Sequence, residues 1–230
     1  MPLIPNRHTT RLKVDYHWQD ANDLMLNITN SIDLLITDPP YESLEKHRSI
    51  GTTTRLQNKW FPVVPNSYFN NFFSLAYDVL KDNTHMYMFC DQETMFAIVP
   101  MAIKAGFKFW KPIIWDKLAI GTGYHWRASY ECILFFEKGK RRLNSNSWGD
   151  IQHFKRLKGK ELYPTQKPVG LIKRLVINSS NPGEIIFDPF MGSGSTGVAA
   201  VNLERHFIGN DIIESTVKNA IKRIGIRERL

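Results

Sequence analysis

The sequence predicts an α/β domain: a mostly parallel, twisted sheet with helices on both faces. Three observations carry this. Apolar strand-like runs alternate with segments of helical period along the chain. Near the C-terminus, Ile185-Ile186-Phe187, a helix starting at Ser195 and His206-Phe207-Ile208-Gly209 make a strand–helix–strand unit. Finally, 230 residues at 43% hydrophobic content suffice for one core, and no repeat or low-complexity segment divides them.

The elements follow in order. Ile32 to Thr37 is a short apolar strand that delivers Asp38 at its carboxyl end. Ser67 to Leu80 reads as a helix, with Phe69, Phe72, Phe73, Ala76 and Leu80 at helical spacing. His85 to Cys90 is a strand, and Glu93 to Lys104 a helix closed by Ala105-Gly106. Phe107 to Trp115 and Tyr130 to Phe136 read as an antiparallel pair at one edge. Val169 to Ser179 is a helix stopped by the turn Asn181-Pro182-Gly183, and a last helix runs from Glu214 to about Ile224. Two stretches break the rhythm: Glu42 to Asn66 is polar without a period, and Gly139 to Tyr163 is basic and irregular. Loops this long in a compact domain are commonly functional, and both follow strands, so both are expected to overhang the carboxyl edge.

The formal net charge of +8 favours a polyanionic partner. Cys90 and Cys132 each sit in an apolar run, as small core residues of a reducing compartment do. No stretch approaches a membrane span, and the N-terminus lacks an apolar signal region, so the expected location is the cytoplasm.

Gly192, Gly194 and Gly197 form G-x-G-x-x-G between a strand and a helix, with Asp211 about twenty residues on at the end of the next strand. Such a loop needs glycine so that the backbone can turn tightly and approach a ligand with no Cβ in the way. The helix start then offers free N–H groups to an anion, and Asp211 accepts from ribose hydroxyls. On this pattern alone a dinucleotide enzyme fits as well as any other.

Two further motifs narrow the choice. Asp38-Pro39-Pro40-Tyr41 follows the first apolar strand, and about 150 residues later comes Phe187-Asp188-Pro189-Phe190-Met191-Gly192-Ser193-Gly194-Ser195-Thr196. Pro164-Thr165-Gln166-Lys167-Pro168 lies between them, as do Ile113-Ile114-Trp115-Asp116-Lys117, Gly121-x-Gly123 and Tyr130-Glu131-x-Ile133-Leu134-Phe135. Together these resemble the S-adenosylmethionine-dependent amino methyltransferases of DNA. The order, amino-group motif first and glycine loop last, resembles their circularly permuted beta class, from about Val14 to Arg223. Asn210, where an apolar residue is commoner, is a mild departure.

The resemblance implies a single Rossmann-like methyltransferase domain over 1–230, with 42–66 as a substrate-side loop and 139–163 as a short target-recognition insert. It implies S-adenosylmethionine as cofactor, held by Asp20 and Ala21, by Thr165 and Lys167, by Asp188, Pro189, Phe190, Gly192, Ser193 and Gly194, and by Asp211. Asp20 could equally be a helix N-cap. It places catalysis on Asp38, Pro39, Pro40 and Tyr41. The target nitrogen is a poor nucleophile, so two acceptors, the Asp38 side chain and the Pro39 carbonyl, must stabilise it as it turns tetrahedral. The prolines pre-set that carbonyl, and Tyr41 offers a face for a flipped base. No metal is required. Asp as the first residue of this motif resembles the adenine-N6 enzymes, whereas Ser is usual for cytosine-N4. The rivals are a cytosine-N4 enzyme on the same scaffold and a non-catalytic DNA-binding protein with a degenerate site.

Double-stranded DNA is the expected partner. Lys138, Lys140, Arg141, Arg142, Lys155, Arg156, Lys158 and Lys160 bracket Trp148 and His153, a pattern suited to a nucleic-acid backbone. Their segment is short for a recognition region, which suggests a short or relaxed target sequence or a homodimer. A cognate restriction enzyme is a further candidate partner. Arg48 and Arg55 lie in the other loop, which is expected to act as a mobile lid over the extruded base.

Overall fold

The computed structural model describes residues 12–44, 62–121, 125–157 and 165–225. Eight strands form one sheet: β1 (Val14–Trp18), β2 (Ile32–Thr37), β3 (Leu80–Cys90), β4 (Lys108–Asp116), β5 (Tyr130–Lys138), β6 (Ile151–His153), β7 (Ile185–Asp188) and β8 (His206–Asp211). Their order is β1-β8-β7-β2-β3-β5-β4-β6. Strand β5 runs against β3 and β4, and the other pairings are parallel. The described helices are α1 (Ala21–Leu26), α2 (Phe69–Val79), α3 (Gln92–Lys104), α4 (Val169–Ser179), α5 (Ser195–Asn202) and α6 (Glu214–Gly225). None is long and apolar enough to cross a membrane.

The alternation of each strand divides the core into two layers. Leu35, Met86, Met88, Leu134, Phe136 and Phe187 face α1, α2 and α3, against Leu24, Phe72, Phe73, Ile98 and Ala102. Leu34, Ile36, Tyr87, Phe89, Ile133 and Ile186 face α4, α5 and α6, against Leu171, Ile172, Val198 and Ala220. Strand β2 is buried at all six positions, as a central parallel strand covered on both faces must be.

The antiparallel pairing of β4 with β5 is present, but β6 lies outside it and forms the edge. That strand comes from the basic segment 139–163, whose described part, 139–157, otherwise runs as a strap along α4. Asn144 donates to the Ile177 and Ser180 carbonyls, the Arg174 guanidinium stacks on Trp148 and donates to Gln152, and Phe154 N–H reaches the Asp116 carbonyl. The strap thus passes from the amino edge to the carboxyl edge. Strand β3 starts at Leu80, five residues earlier than expected, because it follows α2 without a loop. The buried Lys138 ammonium donates to the Tyr77 and Leu80 carbonyls, both at 2.7 Å, and so closes the end of that helix.

From β2 the chain winds outward to β3, and from β7 it winds the other way to β8. Adjacent β2 and β7 therefore open a crevice between their carboxyl ends, where open α/β sheets bind ligands.

Candidate active site

The glycine loop leaves β7 at Asp188. Gly192 at φ 48° and Gly194 at φ 75° take left-handed backbone that a side chain would strain. Gly194 caps α5. Gly197 is needed for a different reason: a Cβ there would meet Ile224 at 2.4 Å and the Phe207 ring at 2.7 Å. Asp188 is buried and accepts from Phe190 N–H at 3.1 Å, so it braces the loop from below. Burial pushes its carboxyl up to about 7, against hydrogen bonds from Thr196 and Phe190. Asp211, at the end of β8, accepts from Gly192 N–H at 3.2 Å and Ile213 N–H at 2.9 Å, and burial raises its pKa.

Beside this loop, Asp20 ends the β1 connection. Its Oδ1 accepts from Asn22 N–H at 2.8 Å, making it the N-cap of α1, and from the Tyr68 hydroxyl at 2.9 Å. The Tyr68 ring packs edge-on against Phe190, which also rests on Phe72. Asn210, 1% exposed, bonds beyond the strand ladder: its amide donates to the Gln19 and Pro189 carbonyls and accepts from Gln19 N–H. It ties β1, β8 and the start of the glycine loop together, which explains a polar residue inside an apolar strand.

At the end of β2, Asp38 meets a row of alternating charges. Lys167 Nζ lies 2.5 Å from Asp38 Oδ2 and 3.2 Å from Glu131 Oε2, and Lys117 Nζ lies 2.9 Å from Glu131 Oε1. Burial raises the Asp38 carboxyl, and Lys167 only partly offsets that. For Glu131 burial acts the same way, but the two flanking ammoniums overturn it and hold the carboxyl below its usual range. Lys167, despite its burial, stays protonated between two carboxylates, well above the ordinary lysine value. Tyr41 is held beside Asp38 by a bridge to Val64, whose N–H donates to the Pro40 carbonyl at 2.7 Å.

One cavity of about 660 Å³ joins these parts. Its wall includes Asp20, Ala21, Thr165, Asp188, Pro189, Phe190, Gly192, Ser193 and Asp211 together with Asp38, Pro39, Pro40 and Tyr41, and Lys167, named for the cofactor, lies against Asp38. The structure thus gathers the residues named for cofactor and catalysis into a single space, with Gly194 behind Ser193 at the helix start.

The basic residues named for DNA divide. Arg156 lines the cavity mouth, and Lys155 is exposed next to it. Lys140, Arg141 and Arg142 lie at the opposite, amino edge, because antiparallel β5 carries the chain away from the site before they occur. Arg141 is spent on Glu184 at 2.9 Å, in a fixed ion pair. Arg48, Arg55 and Lys158, with most of the expected lid, lie outside the described residues. Sequence reasoning did not name Glu131, Lys117, Tyr68 or Asn210 as site residues. A charge inside the apolar run Cys132 to Phe136 and its flank could have flagged Glu131; nothing local distinguishes Tyr68.

An open α/β sheet with a glycine-loop pocket joined to an Asp-Pro-Pro-Tyr turn defines a class of enzyme. The family model described as DNA methylase matches residues 32–222, and the chain belongs to that family. It is 26% identical to the DNA adenine methyltransferase YhdJ of Escherichia coli, over 96% of this chain and 86% of that protein. It is 28% identical to the type II methyltransferase M2.MboI of Moraxella bovis, over 78% of this chain and 76% of that one. Among solved structures, M1.HpyAVI in complex with SAM superposes with a TM-score of 0.71 at 24% identity, covering 92% of this chain and 99% of that chain. The cytosine-N4-specific PvuII DNA methyltransferase gives 0.72 at 14% identity, over 92% of this chain and 86% of that one.

Proposed function

We propose that this protein methylates the N6 amino group of adenine in double-stranded DNA, with S-adenosylmethionine as donor. The observation that carries the reading is the single cavity connecting the glycine loop to Asp38. The donor's functional groups match its wall. Left-handed Gly192 and Gly194 leave the start of α5 open to a carboxylate, Asp211 faces ribose hydroxyls, and Asp20 is placed for the adenine ring. Thr165 flanks this end, while Ser195 Oγ, donating to the Lys167 carbonyl at 2.9 Å, ties the loop to the catalytic side. Bound there, S-adenosylmethionine supplies an electrophilic methyl group on its sulfonium.

The remaining chemistry belongs to the chain. Asp38 and the Pro39 carbonyl accept the two amino hydrogens, draw the nitrogen's lone pair out of the ring and favour tetrahedral geometry. Tyr41 stacks on the extruded base and offsets part of the unstacking cost. The proton lost by the methylated nitrogen leaves to Asp38 or water. Arg156 and Lys155 at the cavity mouth meet the phosphate backbone.

Adenine is favoured over cytosine by Asp38 itself and by likeness to YhdJ, named an adenine methyltransferase. The fold does not discriminate, since the cytosine-N4-specific PvuII enzyme shares it. A cognate restriction enzyme fits the type II names of M2.MboI and M.HpaI, and a homodimer fits the short basic segment. Nuclease protection of treated DNA and sedimentation read these two. The buried thiols Cys90 and Cys132 suit a reducing cytoplasm. Mass spectrometry of nucleosides from DNA incubated with protein and donor tests the reading. N6-methyladenine is expected; N4-methylcytosine transfers the assignment to the rival, and no methylated base overturns it.

A further inference from the structure

Resting on that reading, we infer that Lys117 and Glu131 are positioning residues that act through Lys167, which holds one oxygen of Asp38 and leaves the other for the incoming amino group. The row Asp38–Lys167–Glu131–Lys117 has contacts of 2.5, 3.2 and 2.9 Å. Its side chains are 25, 11, 23 and 16% exposed. Lys167 donates to Oδ2 of Asp38, so among the described residues Oδ1 is the oxygen left to accept from a base.

Stability alone is a weak reason for such a row. Buried ion pairs repay little of their desolvation, and apolar replacements often serve the fold as well. Two features point to the site instead. The row ends in the cavity, where Asp38, Glu131, Lys167 and Lys117 all line the wall. Its outer end also keeps an unfavourable backbone: Leu118, next to Lys117, sits at φ 50°, held by its N–H to Asp116 Oδ1 at 2.9 Å, while Lys117 N–H donates to the Ser129 carbonyl.

The groups facing Asp38 explain the need. Glu131 from β5, Asp188 from β7, Tyr41 from its own turn and Cys90 from β3 are acidic or neutral. Among the described residues, Lys167 is the cation in contact with it, and Lys117 stands beyond Glu131. Without Lys167, two carboxylates would share a mostly buried space, and both would resist ionising. Glu131 in turn keeps the flexible Lys167 stem aimed at Asp38, and Lys117 keeps Glu131 ionised.

The test is the pH profile of kcat at saturating donor and DNA, with donor affinity measured alongside by calorimetry. For Lys167→Gln the acid limb should rise by about one pH unit or more, with donor affinity changed less than about threefold. Lys167→Arg, which keeps the charge, should keep the limb while lowering kcat. Glu131→Gln releases the Lys167 stem and should lower kcat several-fold, with donor affinity changed less than about threefold. An unmoved limb in Lys167→Gln together with donor binding weakened about tenfold or more would make Lys167 a donor ligand and overturn the inference. Should that variant not fold, Glu131→Gln decides: a kcat within about twofold of wild type, or one that falls only in step with lost donor binding, contradicts the inference. A wild-type protein that methylates nothing refutes the function; an active wild type with fixed limbs refutes only this arrangement.

Discussion

The two ends of strand β5 each carry a glutamate in a polar network, Glu131 between two ammoniums at the carboxyl edge of the sheet and Glu137 among hydrogen-bond donors at the amino edge. At the amino edge the network is closed. Glu137, 5% exposed, accepts from Arg141 N–H at 2.8 Å and the Trp110 indole at 3.0 Å, and lies 3.8 Å from His85. His85 Nδ1 and the Tyr87 hydroxyl meet at Ser179, and Arg141 sits on Glu184. At the carboxyl edge a row of alternating ammoniums and carboxylates ends at Asp38, in a cavity of about 660 Å³. Both ends carry a carboxylate held by hydrogen bonds; among the described residues, only the carboxyl-edge set lines a space of this size that a ligand can enter. A perturbed, buried charge therefore marks a reactive site only together with such a space.

If the closed network is structural, breaking it should cost folding and spare chemistry. Glu137→Ala removes the acceptor of the Arg141 N–H and the Trp110 indole and should lower stability by roughly 1–3 kcal/mol, read from the denaturant midpoint. At temperatures where the variant remains folded, methyl transfer should stay within about twofold of wild type, because the site is independent of this edge. A large loss of rate without loss of stability would break the contrast.

The same edge should impose a pH dependence on folding. Burial holds His85 down at about 4, below its ordinary 6.5. The unfolded chain thus takes up the proton first, so this stabilisation is complete above about pH 6.5 and is lost as pH falls toward 4. The loss should approach about 3 kcal/mol over that window, and His85→Asn should lack this component in urea titrations at each pH. The smallest effect expected concerns DNA. Arg156→Ala at the cavity mouth should weaken duplex binding by about 1 kcal/mol and reduce the salt slope by about one, whereas Arg142→Ala at the amino edge should change neither.

The fold was largely legible because each element carries its own period: Ile32 to Thr37 could only be a covered strand, and the glycines at 192 and 194 could only be a tight turn. Most residues that line the cavity were legible for a related reason, since they belong to contiguous motifs. The charged row was not, because its members come from β2, β5, the turn after β4 and the loop before α4, and only pairing of β3 with β5 brings Glu131 opposite the Asp38 turn. The same topology misled the reading of Lys140, Arg141 and Arg142. Composition announces a basic cluster but carries no sign of which sheet edge an antiparallel strand delivers it to. Lys138 shows this most sharply: a lysine counted toward DNA spends its ammonium on the end of α2.

The central claim is that Asp38 acts on the amino group itself and not on the donor. The most direct measurement is single-turnover methylation of adenine-containing duplex by Asp38→Ala, with donor affinity measured on the same preparation. The rate should fall by about 10²–10³-fold while donor affinity stays within about threefold of wild type. A rate that survives the substitution, or one that falls only in step with lost donor binding, would contradict it.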